Sequence, residues 1–170
     1  MNSKEIGNIL FMDIFEKEIF YRGMSNRYPV DRPYIVTPRK DRRPLNTDNR
    51  FHSIVDDWFF KKFGVYYRSQ SVFLTKNKQV ACTYAHNNSY KHVVRVIPLN
   101  PYNYCWSSKI EDLYTISHDY ALSSIEEIES MLESLEYTQL NLSNSKNFSN
   151  EIMVACSQYI AIPILLNNIN

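Results

Sequence analysis

The pattern of apolar and polar positions predicts two helices in the first half of the chain. Apolar residues at intervals of three and four form one helical face before residue 19, at Ile6, Ile9, Leu10, Ile14 and Phe15. A second face lies within residues 49–63, at Phe51, Ile54, Val55, Trp58 and Phe59. Thr47 or Asp48 is placed to cap the second helix, and Gly64 is placed to end it.

The same reading predicts two further helices. A helix of about ten residues begins near Asn77, in the segment 76–87. Before the amphipathic run 125–137, Ser123 or Ser124 forms the pattern of a capping box with Glu127. The segment that follows this run, 141–150, is polar and is predicted to be a loop.

Short β-prone runs lie between the predicted helices. They occupy residues 19–23, 71–75 and 92–101, and two prolines end the last of them. Residues 151–166 are predicted to form two closing strands with a turn around Cys156 to Gln158. Helices interleaved with short strands indicate an α+β fold, in a single domain that covers residues 1–170.

A long loop is predicted between the first strand and the second helix. Residues 25–49 are polar and contain four prolines, at Pro29, Pro33, Pro38 and Pro44, so they cannot form one regular element. A loop of this length in a compact domain often carries function. Its basic cluster, Arg39, Lys40, Arg42 and Arg43 with Tyr34 nearby, fits either a solvated loop or a nucleic-acid contact.

Composition narrows the possible partners. The chain has 170 residues, 44% of them hydrophobic, and 19 Lys and Arg nearly balance 18 Asp and Glu, so no global field favours nucleic acid or an acidic membrane. Three cysteines without a CxxC pair, and four histidines without metal-ligand spacing, lead us to expect neither a disulfide framework nor a metal. No apolar run spans a bilayer, and acids interrupt the first apolar pattern, so we expect a cytoplasmic protein.

Three short motifs carry the candidate chemistry. Tyr21–Gly23 ends the first strand, Phe73–Thr75 ends a middle strand before a helix with Ala81, Tyr84 and Ala85, and Asn150–Val154 opens a late strand. In this order and spacing they resemble the ADP-ribosyltransferase superfamily of the arginine, serine/threonine, glutamate type, over residues 19–165. The resemblance implies two small, mostly antiparallel sheets with flanking helices, and a cleft that binds NAD as substrate.

The resemblance also implies roles for individual residues. Arg22 would bind the NAD phosphates, since its planar guanidinium fits phosphate oxygens bidentately. Gly23 would let the backbone approach the nicotinamide amide closely. Glu151 would stabilise positive charge on the ribose, and Thr75 would position Glu151 or the ribose pocket. Further NAD contacts are expected from Tyr21, from Ser71 as an alternative to Thr75, and from an aromatic side chain among Tyr66, Tyr67 and Tyr84.

Simpler interpretations of the same residues stay open. Arg22 could be a surface ion-pair residue, Glu151 a solvated residue at a strand start, and Thr75 only a cap of the next helix. The basic loop has a third interpretation, as a flap over NAD whose arginine contacts phosphate or adenosine.

The expected function is transfer of ADP-ribose to a macromolecular acceptor inside a cell, as by a toxin or a phage-encoded effector. A protein acceptor is expected, with a nucleic-acid acceptor kept open. Many arginine-modifying relatives carry a second acid two residues before the glutamate, where this chain has Ser149, which disfavours arginine as the acceptor. The alternatives are an NAD glycohydrolase or an RNA 2′-phosphotransferase-like enzyme, and a non-enzymatic inhibitor or binding module that uses the basic loop.

Overall fold

The described residues form two antiparallel sheets with helices around them. The computed structural model describes residues 13–43, 48–145 and 149–165. Its helices are α1 (Ile14–Lys17), α2 (Asn49–Phe63), α3 (Tyr67–Gln70), α4 (Lys78–Thr83), α5 (Tyr114–Ser117) and α6 (Ile125–Ser134). Its strands are β1 (Tyr21–Gly23), β2 (Tyr34–Val36), β3 (Val72–Leu74), β4 (Val93–Pro98), β5 (Tyr102–Trp106), β6 (Ile152–Cys156) and β7 (Tyr159–Pro163). This arrangement confirms the predicted α+β class with two small antiparallel sheets.

One sheet has four strands in the order β1-β4-β7-β2, and the other has three in the order β3-β6-β5. β6 and β7 follow each other in the chain but belong to different sheets, so the turn at Ser157 and Gln158 carries the chain from one sheet to the other. The sheets are also joined where Tyr21 and Thr75 exchange two backbone hydrogen bonds of 2.7 and 3.1 Å. This bridge brings the end of β3 beside β1.

Side-chain alternation along the strands builds two apolar cores. In β6, Ile152 and Val154 face the four-stranded sheet, whereas Met153 faces α2 and α6. The first core lies between the sheets and includes Val72, Leu74, Val94, Val96, Tyr159 and Ala161. The second packs α2 and α6 against the three-stranded sheet, through residues such as Phe51, Val55, Phe59, Ile128 and Leu132. The three-stranded sheet is therefore covered on both faces.

Local signals set the helix ends as predicted in two cases. The Asp48 carboxylate accepts the Phe51 N–H at 3.0 Å, and Gly64 ends α2 with φ of 73°, in the left-handed region that favours glycine. Ser124 and Glu127 form both bonds of a capping box at α6. Thr47, the other predicted cap of α2, lies outside the described residues.

Three predictions of local structure need correction. α4 has six residues rather than about ten, because the chain after Thr83 continues as short 3₁₀ turns. The predicted loop 25–49 contains β2, which pairs with β7, and β5 was not predicted at all. Both strands gain their pairing from distant segments, which local pattern does not report. Of the predicted first helix, only α1 is described, and residues 6–12 lie outside the described residues.

Candidate active site

The three motifs meet at one place, where the two sheets join. The β3–β6 ladder pairs Val72 with Val154, Phe73 with Met153 and Leu74 with Ile152. Thr75 follows Leu74 and Glu151 precedes Ile152, so both residues adjoin the last pair of this ladder. Thr75 also pairs with Tyr21, the residue before Arg22. Segments far apart in sequence therefore contribute Tyr21, Thr75 and Glu151 to adjacent strand positions.

Arg22 projects from β1 toward the end of β3. Its Nη1 donates a hydrogen bond of 3.0 Å to the carbonyl oxygen of Phe73. Its Nε is buried and has no hydrogen-bond partner within the described residues. The guanidinium also lies near Tyr159, where it opposes the rise in the tyrosine pKa that burial causes. Arg22 thus has one donor anchored to the backbone and another that is buried and available.

Glu151 is held between a guanidinium and a backbone carbonyl. Its Oε1 accepts a hydrogen bond of 2.8 Å from Arg68 Nη1, and the two side chains are only 18% and 9% exposed. Its N–H donates to the carbonyl oxygen of Glu111 at 2.6 Å. Burial raises the pKa of the Glu151 carboxyl, Arg68 and then Arg42 oppose that rise, and the Asp112 charge adds to it.

Two further arginines complete the surroundings of Phe73. The Arg42 guanidinium lies 4.0 Å from the centre of the Phe73 ring, and that of Arg68 lies 4.8 Å from the same centre. The Arg42 N–H donates to the Ser69 carbonyl oxygen at 3.2 Å, which ties the proline-rich segment to α3. Burial, together with the charges of Arg22 and Arg68, lowers the pKa of Arg42 to about 10. Arg42 and Arg68 therefore lie near Glu151, and Arg22 lies near Arg42.

Thr75 lies at the turn between β3 and α4. Its Oγ1 accepts the Asn77 N–H at 3.1 Å, and the Asn77 side chain caps α4 and donates to Ser149 Oγ at 3.4 Å. This turn therefore contacts the residues that lead into Glu151. Thr75 is therefore not the cap of α4, as one interpretation predicted, because Asn77 is the cap and the Thr75 hydroxyl only accepts the N–H of Asn77.

Gly23 faces the end of α4 so closely that no side chain fits there. A Cβ at this position would lie 2.4 Å from the Ala81 carbonyl oxygen and 2.5 Å from the Ala85 nitrogen. In a strand, the N–H and C=O groups of every second residue point to the same edge. In β1, the N–H and C=O of Tyr21 point to the edge at which they form hydrogen bonds with Thr75. The polar groups of Gly23 therefore point toward that edge, two residues beyond the bridge. Packing requires the glycine, and its backbone is directed toward the site.

The remaining candidates differ in accessibility. Tyr67 is fully buried and donates to the Tyr104 carbonyl oxygen, and Tyr66 stacks on Phe60, so neither faces the site. Tyr84 is 66% exposed, and its hydroxyl donates to Asp112 Oδ2 at 3.3 Å. Tyr21 packs partly against a small core formed by Ala81, Cys82, Ala85, Val93 and Ile164.

Ser71 lies on the same face of β3 as Phe73, because its backbone is extended and side chains alternate. Its side chain is buried, and its hydroxyl has no hydrogen-bond partner within the described residues. The structure therefore places this alternative to Thr75 on the site face.

Sequence reasoning missed Arg68 and Asp112. Neither belongs to a motif, since Arg68 lies in a short helix that was not predicted and Asp112 in a polar segment. The one signal for Arg68 in the sequence is its place four residues before the buried strand β3. Asp112 reaches the site because Glu111 binds the Glu151 backbone, which no sequence pattern reveals.

Two further features are absent from residues 13–43, 48–145 and 149–165. Among them there is no group of three or more His, Cys, Asp or Glu side chains placed to hold a metal ion. None of the helices in these residues is long and apolar enough to cross a membrane. No protein-family model matches the chain, and no curated protein and no solved structure is significantly similar to it.

Proposed function

We propose that the protein is an NAD-dependent ADP-ribosyltransferase that modifies a macromolecular acceptor inside a cell. The observation that carries this proposal is the convergence of Arg22, Thr75 and Glu151, from three distant segments, at the junction of two antiparallel sheets. The order of the motifs and the position of each on its strand agree with the resemblance described above. No metal is needed for this chemistry.

In the proposed reaction, the bond between the nicotinamide nitrogen and ribose C1′ breaks, and nicotinamide leaves with the bonding electrons. Positive charge then develops on the ribose, which the Glu151 carboxylate stabilises while it accepts a hydrogen bond from the 2′-hydroxyl. The acceptor forms a new bond to C1′ and loses a proton. Arg22 binds the pyrophosphate, and the backbone of Gly23 pairs with the nicotinamide amide.

The surroundings of Glu151 suit this role. Its carboxylate has to be ionised to stabilise the ribose cation, yet burial and Asp112 favour its neutral form. The ion pair with Arg68 acts in the opposite direction and keeps the buried carboxylate charged. Arg68 is therefore proposed as a positioning residue that fixes Glu151 and holds its charge.

Asp112 supports a cationic acceptor on a protein. Ser149 occupies the place of the second acid along the chain, but Asp112 supplies a carboxylate beside Glu151 from another segment. The exposed Tyr84 ring adjoins Asp112 and offers a surface on which a guanidinium can stack. We therefore propose an arginine side chain as the acceptor.

Incubation with labelled NAD tests the proposal. The pure protein and a cell lysate would be incubated with NAD labelled in its adenylate part, and free nicotinamide and labelled macromolecules would be measured. Glu151→Gln removes the charge and keeps the shape, and Glu126→Gln, on the exposed side of α6, serves as the matched control. Label on discrete proteins that is lost only in Glu151→Gln is the expected result.

The other outcomes are also informative. Free ADP-ribose without a labelled macromolecule identifies an NAD glycohydrolase instead. No nicotinamide release by the wild-type protein, with or without lysate, contradicts the proposal.

A further inference from the structure

Two of the three arginines around Phe73 lack an ion-pair partner among the described residues. Glu151 pairs with Arg68, and the buried Asp56 carboxylate accepts the backbone N–H groups of Arg68 and Ser69 at 2.9 and 3.3 Å. Arg22 and Arg42 form no ion pair with a carboxylate among the described residues. Of these three guanidiniums, only that of Arg68 is therefore paired with a carboxylate in the described part of the chain.

The same place holds several donors without partners. Arg22 Nε and Arg42 Nη1 are buried and make no hydrogen bond within the described part of the chain. The Ser71 hydroxyl, in a residue that is only 3% exposed, also has no partner there and lies on the site face of β3. Buried donors left without acceptors are costly, so a native protein that keeps several together has a reason to do so.

The missing acceptor is best supplied by an anionic group with several oxygens. Guanidiniums present planar, paired donors, which match phosphate oxygens bidentately. The guanidiniums of Arg22 and Arg42 carry two positive charges, which the single charge of one carboxylate ligand would not balance. A diphosphate offers enough oxygen atoms and enough negative charge for all of these groups.

We propose that Arg42 and Arg68 join Arg22 in one binding site for a diphosphate group, with Ser71 as a further donor. On the function proposed above, on which this assignment rests, the ligand is the pyrophosphate of NAD. Arg42 belongs to the basic segment that sequence left with three interpretations, and its position over Phe73 favours the one in which that segment covers the bound dinucleotide. Arg68 then contacts both the diphosphate and Glu151.

The test measures binding of inorganic pyrophosphate by calorimetry, with inorganic phosphate as the comparison ligand. The variants are Arg42→Gln and the matched control Arg39→Gln, which lies in the same segment and forms an exposed pair with Asp41. Thermal melting without ligand checks that both variants fold. We expect pyrophosphate to bind more tightly than phosphate, and Arg42→Gln to weaken it about tenfold or more while Arg39→Gln leaves it unchanged.

Two results of the calorimetry overturn the inference: no binding of pyrophosphate by the wild-type protein, or equal binding by Arg42→Gln and the wild type. A competition with ADP-ribose identifies the source of the diphosphate. Displacement of pyrophosphate by ADP-ribose supports a dinucleotide. If pyrophosphate binding depends on Arg42 but ADP-ribose does not displace pyrophosphate, the site binds an anion, but that anion is not the diphosphate of NAD. If Arg42→Gln turns over NAD with an unchanged KM, the proposed enzymatic function stands, but Arg42 does not bind the diphosphate.

Discussion

Replacing Arg68 with glutamine tests how the candidate catalytic carboxylate is held. The pair with Glu151 has an N to O distance of 2.8 Å, and its side chains are 9% and 18% exposed, so solvent screens it weakly. Removing one partner of a buried ion pair costs about 3 kcal/mol, chiefly because the other charge is left uncompensated. A domain of this size has about 5–15 kcal/mol of stability, so the variant should still fold.

The cost of Arg68→Gln should depend on pH. Burial already raises the pKa of Glu151 in the folded protein, and Arg68 opposes that rise. A carboxyl with a raised pKa binds its proton more tightly when folded, so stability falls as pH rises from the ordinary carboxyl pKa through the raised one. Without Arg68 the pKa rises further and this window widens. The variant should therefore lose more stability at pH 8 than at pH 5, where Glu151 is closer to neutral.

Urea unfolding of both proteins at several pH values between 5 and 8 measures this effect. Arg39→Gln is the control, because its pair with Asp41 is exposed, and it should change neither stability nor its pH dependence. In NAD turnover, the acidic limb of the pH profile should move to higher pH in Arg68→Gln. A loss of stability that is equal at all pH values, or below about 0.5 kcal/mol, would mean that Arg68 does not hold the Glu151 carboxylate in its charged form.

Three other substitutions probe the site. Gly23→Ala should destabilise the fold by about 3 kcal/mol in urea unfolding, because its Cβ would meet backbone atoms at 2.4–2.6 Å. Gly64→Ala should cost about 1 kcal/mol, because a side chain there meets open space but the residue has a φ of 73°. Equal costs for the two variants would mean that packing does not exclude a side chain at Gly23. Thr75→Val should lower the free energy of unfolding by about 1 kcal/mol, because it removes the hydrogen bond from the Asn77 N–H. It should reduce NAD turnover less than Glu151→Gln does. A larger loss of turnover would indicate that Thr75 has a direct role in the reaction. Asp112→Asn should weaken transfer to the guanidinium compound agmatine about tenfold and leave NAD hydrolysis unchanged, and unchanged transfer would exclude Asp112 as an acceptor contact.

Much of the fold follows from local sequence because the signals are local. The caps Asp48 and Ser124 and the glycine at position 64 fix helix ends within a few residues, whatever the rest of the chain does. The strands β2 and β5 lack such signals. β2 follows a proline and pairs only through β7, more than a hundred residues later, so its existence depends on tertiary contacts.

The residues of the candidate site also fall into two groups, those that the sequence indicated and those that only the fold shows. Arg22, Thr75 and Glu151 could be proposed from sequence because each lies at the end or start of a short strand within a motif. Arg68 and Asp112 could not, because neither a motif nor a periodic pattern includes them. Arg42 was one of four basic residues in a loop, and only the fold shows that it is the one that lies over Phe73. Side chains brought together by loops are the part of a site that sequence describes least.

The proposed function requires that Arg22 and Glu151 act on one dinucleotide. The most direct test is a crystal structure of the protein with a carbocyclic NAD analogue whose nicotinamide bond cannot be cleaved. We expect the pyrophosphate on the guanidinium of Arg22 and the nicotinamide ribose beside the carboxylate of Glu151. An analogue bound elsewhere, or bound with either of these side chains out of contact, would contradict it.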